Sequence, residues 1–360
     1  MPKAWVREAI SIINADFIRS ADTHLIAVPL PALPALRLYI KDESTHITGS
    51  LKHRLARSLF LYALCNGWIT RDTPIIEASS GSTAISEAYY AHLLGLRFIA
   101  VMARSTSPDK IRRIEHYGGE CVLVDNPRED RERARLLAAE LGGHFMDQFT
   151  YAERATDWRG NNNIAESIFA QLAREPYPIP RWIVCGAGTG GTAATLGRFI
   201  RYSGFTTQVC VVDPPRSVFY DYFCSGDPRV TAEGGSGIEG IGRPQVEPSF
   251  IPTIVDRMIQ VPNAASYGAM HVLADMLGKR YGGSTGTNFY GACQLLAELH
   301  ECDEAGSLVM IGCDSGDLYR ETYYSPAWLA DQGEDIAPTV SQLGEFLSSG
   351  AWPAAGVDRR

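Results

Sequence analysis

The sequence lacks any uninterrupted apolar stretch long enough to cross a bilayer, which argues against an integral membrane protein. Its N-terminus, MPKAWVREAI, carries scattered charges and does not read as a secretory signal. Basic residues are not in excess, because 33 Lys and Arg stand against 41 Asp and Glu, a net charge of −8. An acidic surface repels phosphate backbones, so we expect neither nucleic acid nor membrane as a partner.

Patterns typical of metal binding and of disulfide scaffolds are also missing. The eight cysteines form no CxxC pair, and the eight histidines show neither HxxxH nor HExxH spacing. Most cysteines lie in apolar runs such as WIVC and VCVV. This favours reduced thiols packed in a core, no metal site, and a cytoplasmic location.

Apolar runs of strand length alternate with amphipathic runs of helical length over most of the 360 residues. Strands are predicted at 37–43, 73–79, 96–103, 120–125, 181–188, 208–213 and 307–314, and helices at 51–67, 83–95, 107–119 and 192–204. This alternation predicts an α/β protein with parallel sheets covered by helices on both faces. Two such blocks, at about 37–150 and 181–325, predict two α/β lobes with a ligand cleft between them.

A glycine-rich loop, Gly-Ala-Gly-Thr-Gly-Gly at 186–191, follows the strand WIVC and precedes a helix. Free N–H groups at a helix start attract anions, so the loop suits a phosphate. The same letters fit the dinucleotide pattern GxGxxG, with Asp213 ending the next strand. A tight turn that binds nothing is the third interpretation. On this loop alone, the three interpretations carry about equal weight.

A lysine stands in the first turn of a predicted helix, in Thr48-Gly-Ser-Leu-Lys52. Ser50 is the expected N-cap, and the helix dipole at this end disfavours a cation. Such a position lowers the pKa of the Lys52 amine, as a Schiff-base nucleophile requires. Taken alone, however, a solvent-exposed lysine is the more common explanation.

Two hydroxyl-rich loops follow predicted strands. Ser79-Ser80-Gly81-Ser82-Thr83-Ala84 offers hydroxyls and N–H groups that suit a carboxylate, or else a simple cap and turn. Ser315, in Cys313-Asp314-Ser315-Gly316, follows the strand LVMIG at the sheet edge where α/β proteins bind ligands, although an ordinary turn serine fits as well.

Together, these four segments resemble those of the fold-type II pyridoxal-phosphate enzymes, which include cysteine synthase and cystathionine β-synthase. Gly49 to Lys52 resembles the family's lysine motif, Ser79 to Ala84 its substrate loop, and Gly188-Thr189-Gly190-Gly191-Thr192 its phosphate cup. The order and spacing hold over residues 37–325.

The resemblance implies a tryptophan synthase β-subunit-like fold with two three-layer lobes and pyridoxal 5′-phosphate in the cleft. It implies that residues 40–155 form a smaller lobe, that 1–39 and 156–325 form a larger one, that 326–360 are a peripheral tail, and that the protein is a homodimer.

It also implies roles for individual residues. Lys52 would hold the cofactor as a Schiff base and act as the catalytic base, Ser82 would contact the ring, and Ser315 would face the ring nitrogen. Residues 188–192 would bind the phosphate. The carboxylate of a small amino acid would be received by Ser79, Ser80, Gly81, Thr83 and Gln148.

The implied chemistry is β-elimination through an external aldimine and a bound aminoacrylate, with pyruvate and ammonia as products. Several features depart from the synthase pattern: Ser82 stands where synthases have asparagine, Ala84 where they have glycine, and 157–163 reads DWRGNNN. This run, with the retained Gly240-Ile241-Gly242, looks most like the bacterial cysteine desulfhydrases, which release sulfide from L-cysteine. A β-replacement cysteine synthase is the alternative, and an NAD-dependent oxidoreductase a more remote one.

Overall fold

The computed structural model describes residues 2–353 as ten strands and thirteen α-helices. The strands are β1 (His24–Val28), β2 (Leu36–Asp42), β3 (Ile75–Ala78), β4 (Phe98–Ala103), β5 (Glu120–Val124), β6 (His144–Phe145), β7 (Trp182–Gly186), β8 (Gln208–Asp213), β9 (Arg257–Gln260) and β10 (Gly306–Gly312). The helices are α1 (Pro2–Arg19), α2 (Lys52–Cys65), α3 (Ser82–Leu94), α4 (Pro108–His116), α5 (Asp130–Leu141), α6 (Gln148–Ala155), α7 (Ile164–Leu172), α8 (Gly191–Ser203), α9 (Phe219–Ser225), α10 (Asn263–Leu277), α11 (Gly283–Glu301), α12 (Pro326–Asp331) and α13 (Ala337–Ser349).

The chain divides into two compact units. Unit 1 comprises the N-terminal segment as far as Asp22 together with His46–Asp157, and unit 2 comprises Thr23–Thr45 and the chain from Trp158 onward. Among residues 2–353, no helix combines the length and apolar character that crossing a bilayer requires.

Unit 1 is a three-layer α/β structure around a parallel four-stranded sheet in the order β5-β4-β3-β6. Alternate residues of its strands face opposite sides, as a pleated strand requires. Ile75, Phe98 and Met102 pack with helices α1 to α4, whereas Ile76 and Val101 pack against α5. Both faces of the sheet are therefore covered, as the sequence predicted.

Unit 2 is built on a six-stranded sheet in the order β1-β2-β10-β7-β8-β9. All of its pairings are parallel except that of β1 with β2, which the sequence did not predict. Helices α10, α11 and α13 contribute to the main apolar core, and α8 packs on β7 and β8. The α/β class and the two-lobe organisation are thus confirmed.

The lobe boundaries differ from the predicted ones at both ends of the chain. Helix α1 was assigned to the larger lobe but belongs to unit 1, because Ala9 and Ile13 are buried in its core. The segment 326–360 was expected to be peripheral, yet α13 buries Leu343 and Phe346 completely in the core of unit 2. Residues 354–360 of that predicted tail lie outside the described part.

Candidate functional site

The serine-rich loop of unit 1 directly follows β3. Ser79 remains tied to the neighbouring strand, since its N–H donates to the carbonyl of Val101 at 3.1 Å. Ser79, Ser80, Gly81 and Ser82 are half-buried, and helix α3 starts at Ser82 with no side-chain cap on its first N–H groups. Uncapped N–H groups at a helix start are suited to an anion, so this loop can receive a carboxylate.

Gln148 joins this loop from the other side of β3. Strand β6 is parallel to β3, so the segments after the two strands leave the same edge of the sheet. Gln148 is the first residue of α6, and the Thr83 hydroxyl donates to its Oε1 at 2.8 Å in the buried interior. Two residues that the sequence implicated in substrate binding are therefore in direct contact.

Two buried glutamates, one before the same loop on β3 and one after it on α3, were not recognised in the sequence. Glu77 on β3 accepts the N–H of Ala78 at 2.7 Å and the N–H of Gln148 at 3.1 Å. Burial raises the pKa of Glu77 to about 8. Burial also raises the pKa of Glu87 on α3 well above its usual range, and the charge of Glu77 adds to this effect. The sequence signal was available, because each glutamate interrupts an apolar run, IIEA or AISEAYY.

Lys52 is the first residue of α2, as its position in the lysine motif predicted. The N-cap of α2 is Leu51 and not the expected Ser50, although the Ser50 Oγ accepts the backbone N–H of Lys52 at 3.3 Å. The Lys52 residue is half-buried. Helix α2 packs against α3 and α6, the helices that carry Ser82, Thr83 and Gln148.

A buried hydrogen-bonded chain holds the segment in front of Lys52. The Thr48 hydroxyl contacts the Ser86 hydroxyl on α3 at 2.9 Å and His53 Nδ1 at 3.2 Å. His53 Nε2 contacts the Tyr90 hydroxyl at 2.9 Å, and His46 stacks on the His53 ring. The chain connects the lysine motif of α2 to the helix that follows the serine-rich loop, a role for His53 that sequence reasoning did not find.

The glycine-rich loop of unit 2 forms the start of α8, as predicted. Gly190 has φ +89°, and a Cβ there would lie 2.6 Å from Phe250 Cα and 2.6 Å from the Ser249 carbonyl oxygen. Only glycine fits so close to another backbone. At the helix start, the Gly191 N–H donates to Thr189 Oγ1 at 3.2 Å, and no other side-chain cap is present among the described residues. Gly188 and Thr192 are half-buried.

The segment Gly240-Ile241-Gly242 lies against this loop. The Gly242 N–H donates to the carbonyl of Ala187 at 2.8 Å, and Ile241 occupies the space that a side chain at Gly186 would need. The two glycine-rich segments therefore support each other within unit 2.

Ser315 follows β10, which is parallel and adjacent to β7, the strand before the glycine-rich loop. Both segments therefore leave the same edge of the six-stranded sheet. The half-buried Ser315 hydroxyl accepts the N–H of Asp317 at 3.3 Å and caps a short 3₁₀ turn. The same hydroxyl donates to Asp317 Oδ2 at 3.3 Å, and its contact with the ring nitrogen stays a prediction.

Asp213, which supported the dinucleotide interpretation, is completely buried at the end of β8. It accepts the Tyr220 N–H at 3.0 Å, and burial raises the pKa of its carboxyl to about 7. A carboxyl without solvent access cannot bind a ribose. Within residues 2–353, moreover, no group of three or more His, Cys, Asp or Glu side chains is arranged to hold a metal ion.

The Asn161-Asn162-Asn163 run has a local structural role. Asn161 and Asn162 adopt left-handed conformations, with φ +63° and +50°, which asparagine tolerates better than most residues. Asn163 caps α7 by accepting the N–H groups of Ala165 and Glu166 at 2.9 and 3.0 Å. The run thus terminates the preceding loop and starts a helix.

A family model described as pyridoxal-phosphate dependent enzyme matches residues 21–314. The chain belongs to this family. Its members depend on pyridoxal phosphate, so the dinucleotide interpretation of the glycine-rich loop no longer applies.

Individual relatives agree with the family assignment. The chain is 56% identical to L-cysteine desulfhydrase Cds1 of Mycobacterium tuberculosis, over 98% of this chain and 97% of that protein. The crystal structure of O-ureido-L-serine synthase matches with a TM-score of 0.73 at 25% identity, covering 86% and 96% of the two chains. A hydrogen sulfide-producing enzyme from Fusobacterium nucleatum shares the fold, with a TM-score of 0.72 at 23% identity, covering 86% and 98%.

Proposed function

We propose that this protein is an L-cysteine desulfhydrase, which converts L-cysteine and water to hydrogen sulfide, pyruvate and ammonia. The 56% identity to the mycobacterial L-cysteine desulfhydrase over nearly the whole of both chains carries the proposal. The chemistry of the candidate residues supports it, because an amine, a carboxylate-binding loop and a phosphate-binding loop are the groups that this reaction requires.

The residues fit pyridoxal phosphate. The N–H groups at the start of α8, where Gly190 leaves no room for a side chain, suit its phosphate, and Lys52 is the amine that would hold its aldehyde. When bound, this cofactor supplies an electron sink for breaking bonds at the α-carbon of an amino acid.

The chain's own residues then have distinct tasks. Residues 188–192 would hold the phosphate, Ser82 and Ser315 would contact the ring, and the released Lys52 amine would take the α-proton of the substrate. The substrate carboxylate would be received by the loop from Ser79 to Thr83 and by Gln148. Loss of the thiol from the β-carbon completes the cleavage.

A β-replacement reaction is the second candidate, because the fold matches O-ureido-L-serine synthase at 25% identity. A synthase would combine an activated serine with a nucleophile, whereas a desulfhydrase needs cysteine and water only. The two functions therefore differ in a measurable product.

The proposal extends to a homodimer in the cytoplasm. The family resemblance supports the dimer, and eight cysteines without a disulfide are consistent with a reducing compartment. Light scattering on the purified protein tests the first statement, and fractionation of producing cells tests the second.

The purified protein, incubated with L-cysteine alone, is expected to release sulfide and pyruvate in equal amounts. Lys52→Ala should abolish both this activity and the visible absorbance of the lysine-bound cofactor, whereas Lys3→Ala, an exposed position on α1, should keep both. Formation of cysteine from O-acetylserine and sulfide, without pyruvate release from cysteine, would overturn the desulfhydrase assignment.

A further inference from the structure

The first turn of α2 is joined to α3 through hydrogen bonds at both nitrogens of one histidine ring. His53 Nδ1 contacts the Thr48 hydroxyl at 3.2 Å, and His53 Nε2 contacts the Tyr90 hydroxyl at 2.9 Å. The Thr48 hydroxyl also contacts the Ser86 hydroxyl at 2.9 Å. All four side chains are buried, Ser86 and Tyr90 completely. Buried polar groups lose a hydrogen bond only at a cost, so these contacts hold the His53 ring in one position.

Ring packing restricts the same side chain further. The His46 ring stacks on the His53 ring, with the two centroids 4.8 Å apart. The rings of Tyr89 and Tyr90 lie 5.3 and 4.9 Å from it, and the His53 backbone N–H donates to the carbonyl of Ser50 at 3.1 Å. An imidazole bonded at both nitrogens and packed against three rings cannot turn without breaking one of these contacts.

The importance of His53 follows from its neighbour in the chain, because the residue before it is Lys52. Successive residues of an α-helix point about 100° apart, so the direction in which Lys52 leaves α2 depends on how the His53 ring is held. A lysine side chain is flexible, and its amine is placed accurately only where the backbone that carries it is fixed. Tyr90 and Ser86 supply that fixed point from α3, the helix that begins in the serine-rich loop.

We propose that His53 is a positioning residue, which holds the start of α2 so that the Lys52 amine reaches both the cofactor aldehyde and the α-proton of the substrate. This inference rests on the proposed function, in which Lys52 holds the cofactor and takes that proton. His53 acts through Lys52 and not on the substrate. Its loss should therefore slow the steps that Lys52 performs and leave substrate affinity nearly unchanged.

Capture of pyridoxal 5′-phosphate by the cofactor-free protein tests this role without turnover. Attachment joins the Lys52 amine to the cofactor aldehyde with loss of one water, and borohydride reduction followed by mass spectrometry measures the lysine-bound cofactor over time. Tyr90→Phe removes the hydroxyl at Nε2 and keeps the ring, whereas Thr48→Val removes the hydroxyl at Nδ1 and nearly keeps the shape. Each variant should slow capture about tenfold, because a small misplacement of a reacting group is costly in rate.

Tyr89→Phe is the matched control, because Tyr89 precedes Tyr90 on α3 but its hydroxyl donates to Asp16 at 2.8 Å. This variant also loses one hydrogen bond and keeps the ring beside His53. Thr48→Ser is the conservative variant at the other end of the chain, since it retains a hydroxyl. Capture by Tyr89→Phe and by Thr48→Ser should stay within about threefold of wild type.

His53→Leu tests whether the effect passes through the ring. In this background, Tyr90→Phe should slow capture no further, because the hydroxyl that it removes has already lost its partner. Equal slowing by Tyr90→Phe in both backgrounds refutes the positioning role, as does capture by Tyr90→Phe and Thr48→Val at the rate of Tyr89→Phe. The tyrosine pair and the Thr48 pair address the two ring nitrogens separately, so if one variant fails to fold, the other pair decides.

Sulfide release from L-cysteine by the holoenzyme, saturated with cofactor, supplies a second measurement. Tyr90→Phe should lower kcat about tenfold and keep KM within about threefold of wild type. A raised KM at the wild-type kcat would contradict a role through Lys52. A wild type that captures the cofactor at Lys52 but releases no sulfide would instead refute the proposed function, and the capture rates of the variants would still decide the role of His53.

Discussion

Replacement of Gly190 by alanine tests the geometry of the glycine-rich loop most directly. The new Cβ would meet two obstacles at once: a backbone with φ +89°, and the main chain of Ser249 and Phe250 at 2.6 Å. A left-handed conformation costs a residue with a side chain about 1–2 kcal/mol. Overpacking adds about 1–3 kcal/mol, since the atoms in the way are backbone atoms that cannot rotate aside.

Gly204→Ala is a matched control at the other end of the same helix. Gly204 also has a positive φ, +68°, but a Cβ there would meet nothing within 4 Å. This variant should lose only the conformational part, about 1–2 kcal/mol. Gly190→Ala should therefore be less stable than Gly204→Ala by about 1–3 kcal/mol.

Urea unfolding followed by tryptophan fluorescence measures this difference. Bound cofactor stabilises the folded state by mass action, so both variants and the wild type should be compared after its removal. Subsequent titration with pyridoxal phosphate should show weaker binding by Gly190→Ala and wild-type binding by Gly204→Ala. Equal midpoints for the two variants would show that the backbone of Ser249 and Phe250 does not approach Gly190 as described.

Three further outcomes are expected. Thr83→Val leaves Gln148 Oε1 without its buried donor, so we expect a KM for cysteine about tenfold higher, with Thr83→Ser close to wild type. Burial raises the pKa of Asp213 to about 7, above the value of this carboxyl in the unfolded chain. Because the folded protein binds the Asp213 proton more tightly than the unfolded chain does, the stability of the fold should fall as the pH rises from about 4 to 7. Urea midpoints at pH 5 and pH 8 should therefore differ less in Asp213→Asn than in wild type, and an unchanged difference would argue against a buried titrating Asp213. Thiol reagents should label only the exposed cysteines rapidly. Burial raises the pKa of the thiols of Cys185, Cys210 and Cys293, so these three should react slowly until the protein unfolds.

The elements that the sequence predicted well are those with both an apolar run and a turn signal at each end. The strands predicted at 73–79, 96–103 and 208–213 correspond to β3, β4 and β8 within two residues. Strands β1 and β9 were missed because HLIAV and RMIQ are short, and each lies at an edge of the sheet. Edge strands lack the continuous apolar character of buried parallel strands.

The candidate site shows a similar division. The lysine motif, the serine-rich loop and the glycine-rich loop are local patterns, and each lies at a helix start as predicted. The contacts of Glu77 with Gln148, and of His53 with Tyr90, join residues that are distant along the chain. One sequence cannot identify such partners, because the pairing depends on which elements pack together.

The pairing of β2 has a consequence for biosynthesis. In the sheet of unit 2, β2 lies between β1 and β10, and Leu36 is paired with Gly306, roughly 270 residues further along the chain. A ribosome therefore delivers the whole of unit 1 before β2 can meet its second neighbour. We expect β2 to keep one unpaired edge for most of the synthesis of the chain. Unpaired strand edges are prone to aggregation, so we expect chaperones to bind this segment of the nascent chain.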